Sequence, residues 1–420
     1  MSVISELRMR PADAHRWGWD ASTKARLVLA VVVISALLIG ANLATPLYAL
    51  IQTDLGLSAF DTTVAFSAYV FTLVGGLMMV GHWSDHIGRR AALVLAVLTG
   101  VAGLAVFGLA TSLPVLVLGR CLQGAAVALA TGASAAALRD LLPHRPEWAS
   151  RFTLLASAGG VAAGPVIGGL LSLLPDPTTL PFALYGGVLA MVLLPLLVLK
   201  ARPAIKPAVQ PRPLTALRPR RPTISRAAAR SFWTASIIGF LSFSVFGFTL
   251  SLAPTYFTDI TGEVGRPVIG LLAALVLASS AFSQLLSLRG RFLVPAGLML
   301  MGCGVAGIPV AHLAGSLPLL VVCCLAAGVG QGAAFRVVFN KVAMQVEPSQ
   351  HAQIISTVYV ITYLGSAVPV LGLGALATAW GLDAAVAAFS AAITVACLVM
   401  AALVARRAVS RSLGRRPPAL

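Results

Sequence analysis

Twelve stretches of mostly apolar residues divide this chain of 420 residues. They run over 27–51, 62–81, 91–111, 114–138, 152–174 and 181–199, then 232–253, 267–287, 292–312, 317–339, 353–377 and 384–405. Each is close to the ~20 residues that a helix needs to cross a bilayer. Inside hydrocarbon a segment must satisfy its own backbone N–H and C=O groups, which leaves helices and closed barrels. A barrel strand needs about half this length. The pattern therefore predicts an all-α membrane protein with twelve transmembrane helices. Composition agrees: 58% of residues are hydrophobic, 10% are charged and mean hydropathy is +0.93. A soluble domain carries roughly 25% charged residues, so a soluble enzyme and a disordered chain are both excluded.

The connections are short, with one exception. Residues 200–230 hold six prolines and nine bases without an acid, and read as a flexible linker between two six-helix halves. The expected organisation is a 1–26 cytoplasmic segment, a 27–199 half, the 200–230 linker, a 231–405 half and a 406–420 basic tail. All but three of the 30 bases fall in the two terminal segments, the linker and the even-to-odd loops. The exceptions are Arg120 and Arg336, inside spans, and Arg266 on the other side. The opposite loops carry Asp54, Asp61, Asp176, Asp259, Glu263 and Asp383. This asymmetry predicts both termini in the cytoplasm. It also removes the reading that a net charge of +17 would have in a soluble protein, so no nucleic-acid partner is expected. The N-terminus lacks the layout of a cleavable signal, and the first span reads as an uncleaved insertion signal. Five cysteines lie in apolar stretches, where they read as small packing residues rather than a disulfide or metal framework.

An internal repeat supports two halves. Gln123-Gly124-Ala125-Ala126 in span 4 returns as Gln331-Gly332-Ala333-Ala334 in span 10. Parallel six-helix repeats are a transporter architecture.

Three segments carry chemistry. The loop between spans 2 and 3 reads Gly81-His82-Trp83-Ser84-Asp85-His86-Ile87-Gly88-Arg89-Arg90. A positive-inside loop explains Arg89 and Arg90 but not the spaced glycines or the acid among bases. His82 and His86 have the spacing of two metal ligands on a helix, yet no third ligand is near in sequence, so no metal is expected. In span 4, Arg120 sits several residues inside the apolar stretch with Gln123 one turn on. A charge at that depth costs a few kcal/mol and reads as functional. In span 5, Gly160, Gly164 and Gly168 recur every four residues, with Pro165 and Gly169 between and after. Such a stripe lets a second helix approach closely, and Pro165 bends its own helix.

Together these segments resemble the major facilitator superfamily. Gly81, Ser84, Asp85, Gly88, Arg89 and Arg90 match its signature loop, with Trp83 and His86 departing from it. Arg120, Gln123 and Gly124 match its Arg-x-x-Gln-Gly motif, whose arginine the family implicates in proton coupling. The span 5 segment resembles the motif of its drug:proton antiporters. In the second half Arg289-Gly290-Arg291 keeps bases but lacks the acid.

The resemblance implies a secondary transporter working by alternating access in the cytoplasmic membrane, with protons and a small molecule as partners, no cofactor, and a monomeric state. Spans 1, 4, 7 and 10 would line its cavity, which makes Asn42, Thr45, Tyr48, Phe243, Phe246 and Gln331 candidate substrate residues. Phenylalanines with few charges suit amphiphilic, drug-like compounds. The alternative is one hydrophilic metabolite, a sugar or amino acid. Asp85 is expected to pair with Arg139 and to lie near the start of span 11, as a gate. All 13 acids fall in loops or at span ends, so no carboxylate stands out as a mid-membrane proton carrier; Asp54, Asp61 and His312 are the substitutes. A nucleotide-binding loop and catalytic signatures are absent.

Overall fold

The computed structural model describes residues 3–9, 18–202, 229–262, 265–286, 290–345 and 351–413. Most of the linker and the last tail residues lie outside these. Among the described residues, twelve helices are long and apolar enough to cross a membrane. Spans 1 to 6 are Thr23–Asp54, Ala59–Val80, Arg89–Gly108, Leu113–Leu141, Glu147–Leu171 and Leu180–Val198. Spans 7 to 12 are Ala229–Ser251, Arg266–Leu285, Leu293–Leu313, Leu317–Val342, Ile354–Trp380 and Leu382–Arg407.

Span 1 is broken. Its first helix ends at Asn42, a 3-10 turn covers Thr45–Leu47, and a second helix runs over Tyr48–Asp54. Pro46 sits in that turn. It has no N–H to donate to the residue a turn before it, so the regular ladder cannot pass.

The chain forms two compact units. One comprises Met1–Leu57 with Val64–Arg221, the other Ser58–Thr63 with Pro222–Leu420. The first turn of span 2 thus packs with the second unit, where the Phe60 amide donates to Thr378 Oγ1 at 3.1 Å. Within the first unit span 3 packs on span 4, span 1 on span 5, and span 3 on span 6. Within the second, span 9 packs on span 10, span 7 on span 11, and span 9 on span 12. The same three pairings recur in the same order, so the sequence repeat is also a repeat of packing.

Glycines set these pairings. In lipid, helices gain little from apolar burial, and close backbone contact replaces it. The span 5 stripe is where span 1 sits. A Cβ at Gly160 would lie 2.8 Å from the Ser35 carbonyl, and one at Gly164 2.6 Å from Asn42 Cβ. At Gly168 it would land on the Leu43 carbonyl oxygen. Ser35 Oγ adds a hydrogen bond to the Ala156 carbonyl at 3.0 Å. In the second unit, Gly365 on span 11 abuts the Phe240 backbone, and Gly247 on span 7 abuts Ser366.

These contacts predict a graded pair of variants. Gly168→Ala meets backbone and should cut the yield of folded, monodisperse protein several-fold. Gly159→Ala, with nothing within 4 Å, should match wild type. Size-exclusion profiles of fluorescently tagged protein give the comparison; equal profiles would mean that span 1 does not depend on this groove.

Candidate functional site

The buried arginine is the centre of the first unit. Arg120 is 2% exposed. Its Nη1 donates to the Ala41 carbonyl at 2.6 Å and to Gln123 Oε1 at 2.7 Å. Its Nε donates to Tyr48 Oη at 2.9 Å, and Nη2 donates to the same oxygen. The rings of Phe107, Tyr48 and Tyr69 surround the guanidinium at 5.0, 5.2 and 5.7 Å. The break in span 1 makes this possible. The Ala41 carbonyl lies at the end of the first helix, and Tyr48 begins the second. Neutral acceptors and aromatic faces thus hold a charge that no carboxylate balances here. Gln123 Nε2 has no protein partner, and Gln123 helps line a small cavity with Leu37, Gly40, Gly100, Leu104 and Leu189.

This changes the roles expected on span 1. Tyr48, expected to face substrate, is buried and holds Arg120. Asn42 is buried against Gly164 and donates to its own Leu38 carbonyl at 2.8 Å. Thr45 is buried as well.

The loop between spans 2 and 3 forms a short helix, Ser84–Ile87, ended by Gly88 at φ 90°. A side chain is strained in that conformation, so the glycine is what lets the chain turn directly into span 3. Asp85 pairs with Arg89 at 2.5 Å, not with Arg139 as the sequence led us to expect. Arg89 also reaches Ser84 Oγ at 2.6 Å and Asp140 at 2.9 Å. Adjacent helical residues point about 100° apart. With Asp140 turned to the loop, the neighbouring Arg139 is directed elsewhere, and it is exposed. Residues 346–350, which lead into span 11, lie outside the described residues. Gly81 is packed against Gly132 of span 4, where a Cβ would meet the Gly81 carbonyl at 2.6 Å.

Arg90 faces the other way. It donates to the carbonyls of Leu196 at 3.0 Å and Leu197 at 2.8 Å, at the end of span 6. Its Nη1 also lies 3.2 Å from Glu6 Oε1, an ion-pair distance off the hydrogen-bonding line. Glu6 belongs to a five-residue helix, Val3–Leu7, and is 6% exposed. Nothing in the sequence singled it out. Burial pushes its carboxyl above the ordinary value of 4.5, and Arg90 pulls it part of the way back.

In the second unit Gln331 is buried and accepts from Ser280 Oγ rather than facing open space. Phe243 and Phe246 are half-buried and belong to a longer strip. Phe243 stands edge-on to Tyr363 at 5.2 Å and near Phe335 at 6.0 Å; Phe335 meets Phe339 at 5.5 Å, and Phe339 meets Tyr359 at 5.1 Å. The last four were missed. Their signal was an aromatic pair four residues apart on each of spans 10 and 11, which puts both rings of a pair on one face.

Residues 29–368 match the Major Facilitator Superfamily. The chain belongs to that family. That family is one of secondary transporters rather than enzymes, and twelve candidate spans lie among the described residues of this chain. Over 165 residues it is 33% identical to the class E tetracycline resistance protein of Escherichia coli, covering 37% of this chain and 40% of that one. Over 95 residues it is 36% identical to the class D protein of Salmonella ordonez, covering 22% of this chain and 23% of that one. The chain therefore spans less than half the length of these curated relatives. The fold matches a bacterial homologue of the human lysosomal transporter Spinster with TM-score 0.74, at 17% identity, covering 94% of this chain and 99% of that one. It also matches the nucleoside transporter NupG with TM-score 0.67, at 13% identity, covering 91% and 99%.

Two predictions come from this geometry. Arg120→Ala orphans Tyr48 Oη, the Ala41 carbonyl and Gln123 Oε1, each at about 1–3 kcal/mol. The apparent Tm of detergent-solubilised protein should fall by several degrees, and Tyr48→Phe should cost a fraction of that. For Glu6, the docked carboxyl holds its proton more tightly than a solvated one. Docking of the Val3–Leu7 helix is then strongest in acid and is lost as pH rises through the docked value. A nitroxide at position 4 should become more mobile as pH is raised above the ordinary carboxylate range, and Glu6→Gln should remove that change.

Proposed function

We propose that this transporter exports small amphiphilic, drug-like compounds across the cytoplasmic membrane by proton antiport with alternating access, and works as a monomer. The observation that carries the reading is the aromatic strip of Phe243, Phe246, Phe335, Phe339, Tyr359 and Tyr363. Six rings in mutual contact, one pair edge-on and the others tilted, offer π surface to planar apolar groups, and two tyrosine hydroxyls add polar handles on the same strip. A site of this kind sorts ligands by shape and apolar area more than by one set of hydrogen bonds. That suits a range of amphiphiles better than one sugar or amino acid.

Two further features support it. The span 5 segment from Gly160 to Gly169 resembles the antiporter motif, and part of the chain is similar to tetracycline resistance proteins. In this reading Arg120 is the coupling residue, with Gln123 beside it. Three of its four donor contacts, two to Tyr48 and one to the Ala41 carbonyl, bind spans 1 and 4 together, so any event that draws off Tyr48 or the Ala41 carbonyl changes how those spans meet. The Asp85–Arg89–Asp140 cluster is the gating element on the loop, with Gly81, Gly88 and Arg90 shaping it and Arg139 at its edge.

Reconstituted liposomes with an imposed proton gradient and a panel of dyes and antibiotics test this. Several unrelated compounds should be extruded, and collapsing the gradient should stop them. Phe243→Ala and Tyr363→Ala should each raise KM a few-fold, since a ring pair contributes about 0.5–1.5 kcal/mol. Movement of a single polar solute, indifferent to these two rings, would replace this reading with that of a hydrophilic metabolite transporter.

A further inference from the structure

One titratable cluster takes no part in the site above. It lies in the second unit, at the end formed by the links between spans 7 and 8, 9 and 10, and 11 and 12. His312, in the last turn of span 9, stacks on Tyr256 with ring centroids 4.2 Å apart and planes 21° apart. Tyr256 comes from the short helix Ala253–Thr261 that follows span 7. His312 Nε2 lies 3.3 Å from Asp383 Oδ1, in the first turn of span 12. The histidine side chain is 15% exposed and the aspartate 76%.

One buried polar atom here, His312 Nδ1, has no hydrogen-bond partner among the described residues. Proteins rarely leave such atoms unpaired. We propose that His312, with Asp383 and Tyr256, is a proton-binding site, and that filling it rearranges this end of the second unit.

The chemistry balances without a further reactant. With Nε2–H directed at the Asp383 carboxylate, Nδ1 keeps a free lone pair. A proton taken up from water adds to that lone pair and becomes N–H at Nδ1, giving an imidazolium paired with a carboxylate. The helix C-terminus and the stacked tyrosine face both favour the cation. The new N–H has no acceptor in this arrangement, so the protonated form favours one in which it finds a partner. That differential is what couples a proton to a conformational change.

Span 9 packs against span 12, the Ala253–Thr261 helix and span 10. From span 12 the facing group is Asp383. From the Ala253–Thr261 helix it is Tyr256, whose hydroxyl is pushed up to about 12 by burial and by the charges of Asp383 and Asp259, so it stays neutral. Span 10 starts at Leu317 and offers no charged side chain in its first turns, its nearest titratable groups being Cys323 and Cys324. Cys323 faces Gly307 of span 9, more than a turn before His312.

The inference rests on these contacts and on membership of the transporter family, not on drug export or proton antiport. Its test needs no substrate. Full-length protein labelled with 15N-histidine in lipid nanodiscs gives a His312 signal, assigned by its loss in His312→Gln. That signal should report a change of protonation between about pH 5 and pH 8, and the change should move in Asp383→Asn, an exposed position that leaves the fold intact. Amide exchange of residues 253–261, corrected for the intrinsic pH effect, should differ about fivefold across that range in wild type and not in His312→Gln. A His312 signal constant over the range, or one identical in Asp383→Asn, overturns the site. Equal exchange behaviour in wild type and His312→Gln overturns the rearrangement.

Discussion

A helix in hydrocarbon gains almost nothing by hiding an apolar face against another, because lipid is equally apolar. What holds two such helices together is the closeness of their backbones and the few polar bonds that closeness allows. Both units are built on that constraint. Gly160, Gly164 and Gly168 seat span 1 on span 5, and Gly239, Gly247 and Gly365 join spans 7 and 11. Once span 1 is held there, its break at Pro46 places the Ala41 carbonyl and Tyr48 where Arg120 can reach both. The polar centre of the first unit therefore depends on bare backbone several residues away.

The repeat shows what that centre adds. Gln123 and Gln331 are matched at an offset of 208, and the same offset carries Arg120 onto Gly328. Where the first unit has a guanidinium, the second has a glycine packed against Ser279. Gln331, with no arginine to bind, accepts from Ser280 instead. One repeated packing plan thus supports a charged centre in one unit and an aromatic strip in the other.

Much of the fold was legible in the sequence, and the reason is physical. Spans are long, uniform and bounded by charge, so their number survives any error at their edges. The glycine stripe was legible because periodicity of four on a helix means one face. Partners were harder. Asp85 with Arg139 looked plausible as opposite charges at two loop ends, but helix phase chose Asp140 and left Arg89 as the bridge. Tyr48 read as a cavity residue because nothing local told that the Pro46 break would turn it toward span 4. Glu6 was invisible, since a single acid in a polar segment carries no pattern. It gains its meaning only from Arg90 and the end of span 6.

The order in which Arg120 meets its partners bears on how the chain is made. A lone arginine about two turns inside an inserting helix is costly, and span 4 must bear that as it leaves the ribosome. The Ala41 carbonyl and Tyr48 are synthesised about seventy residues earlier, so both are already in the bilayer when the guanidinium arrives. Gln123 follows three residues later on the same helix. Span 4 thus enters a membrane that holds its acceptors, and assembly of the first unit can proceed during synthesis rather than after it.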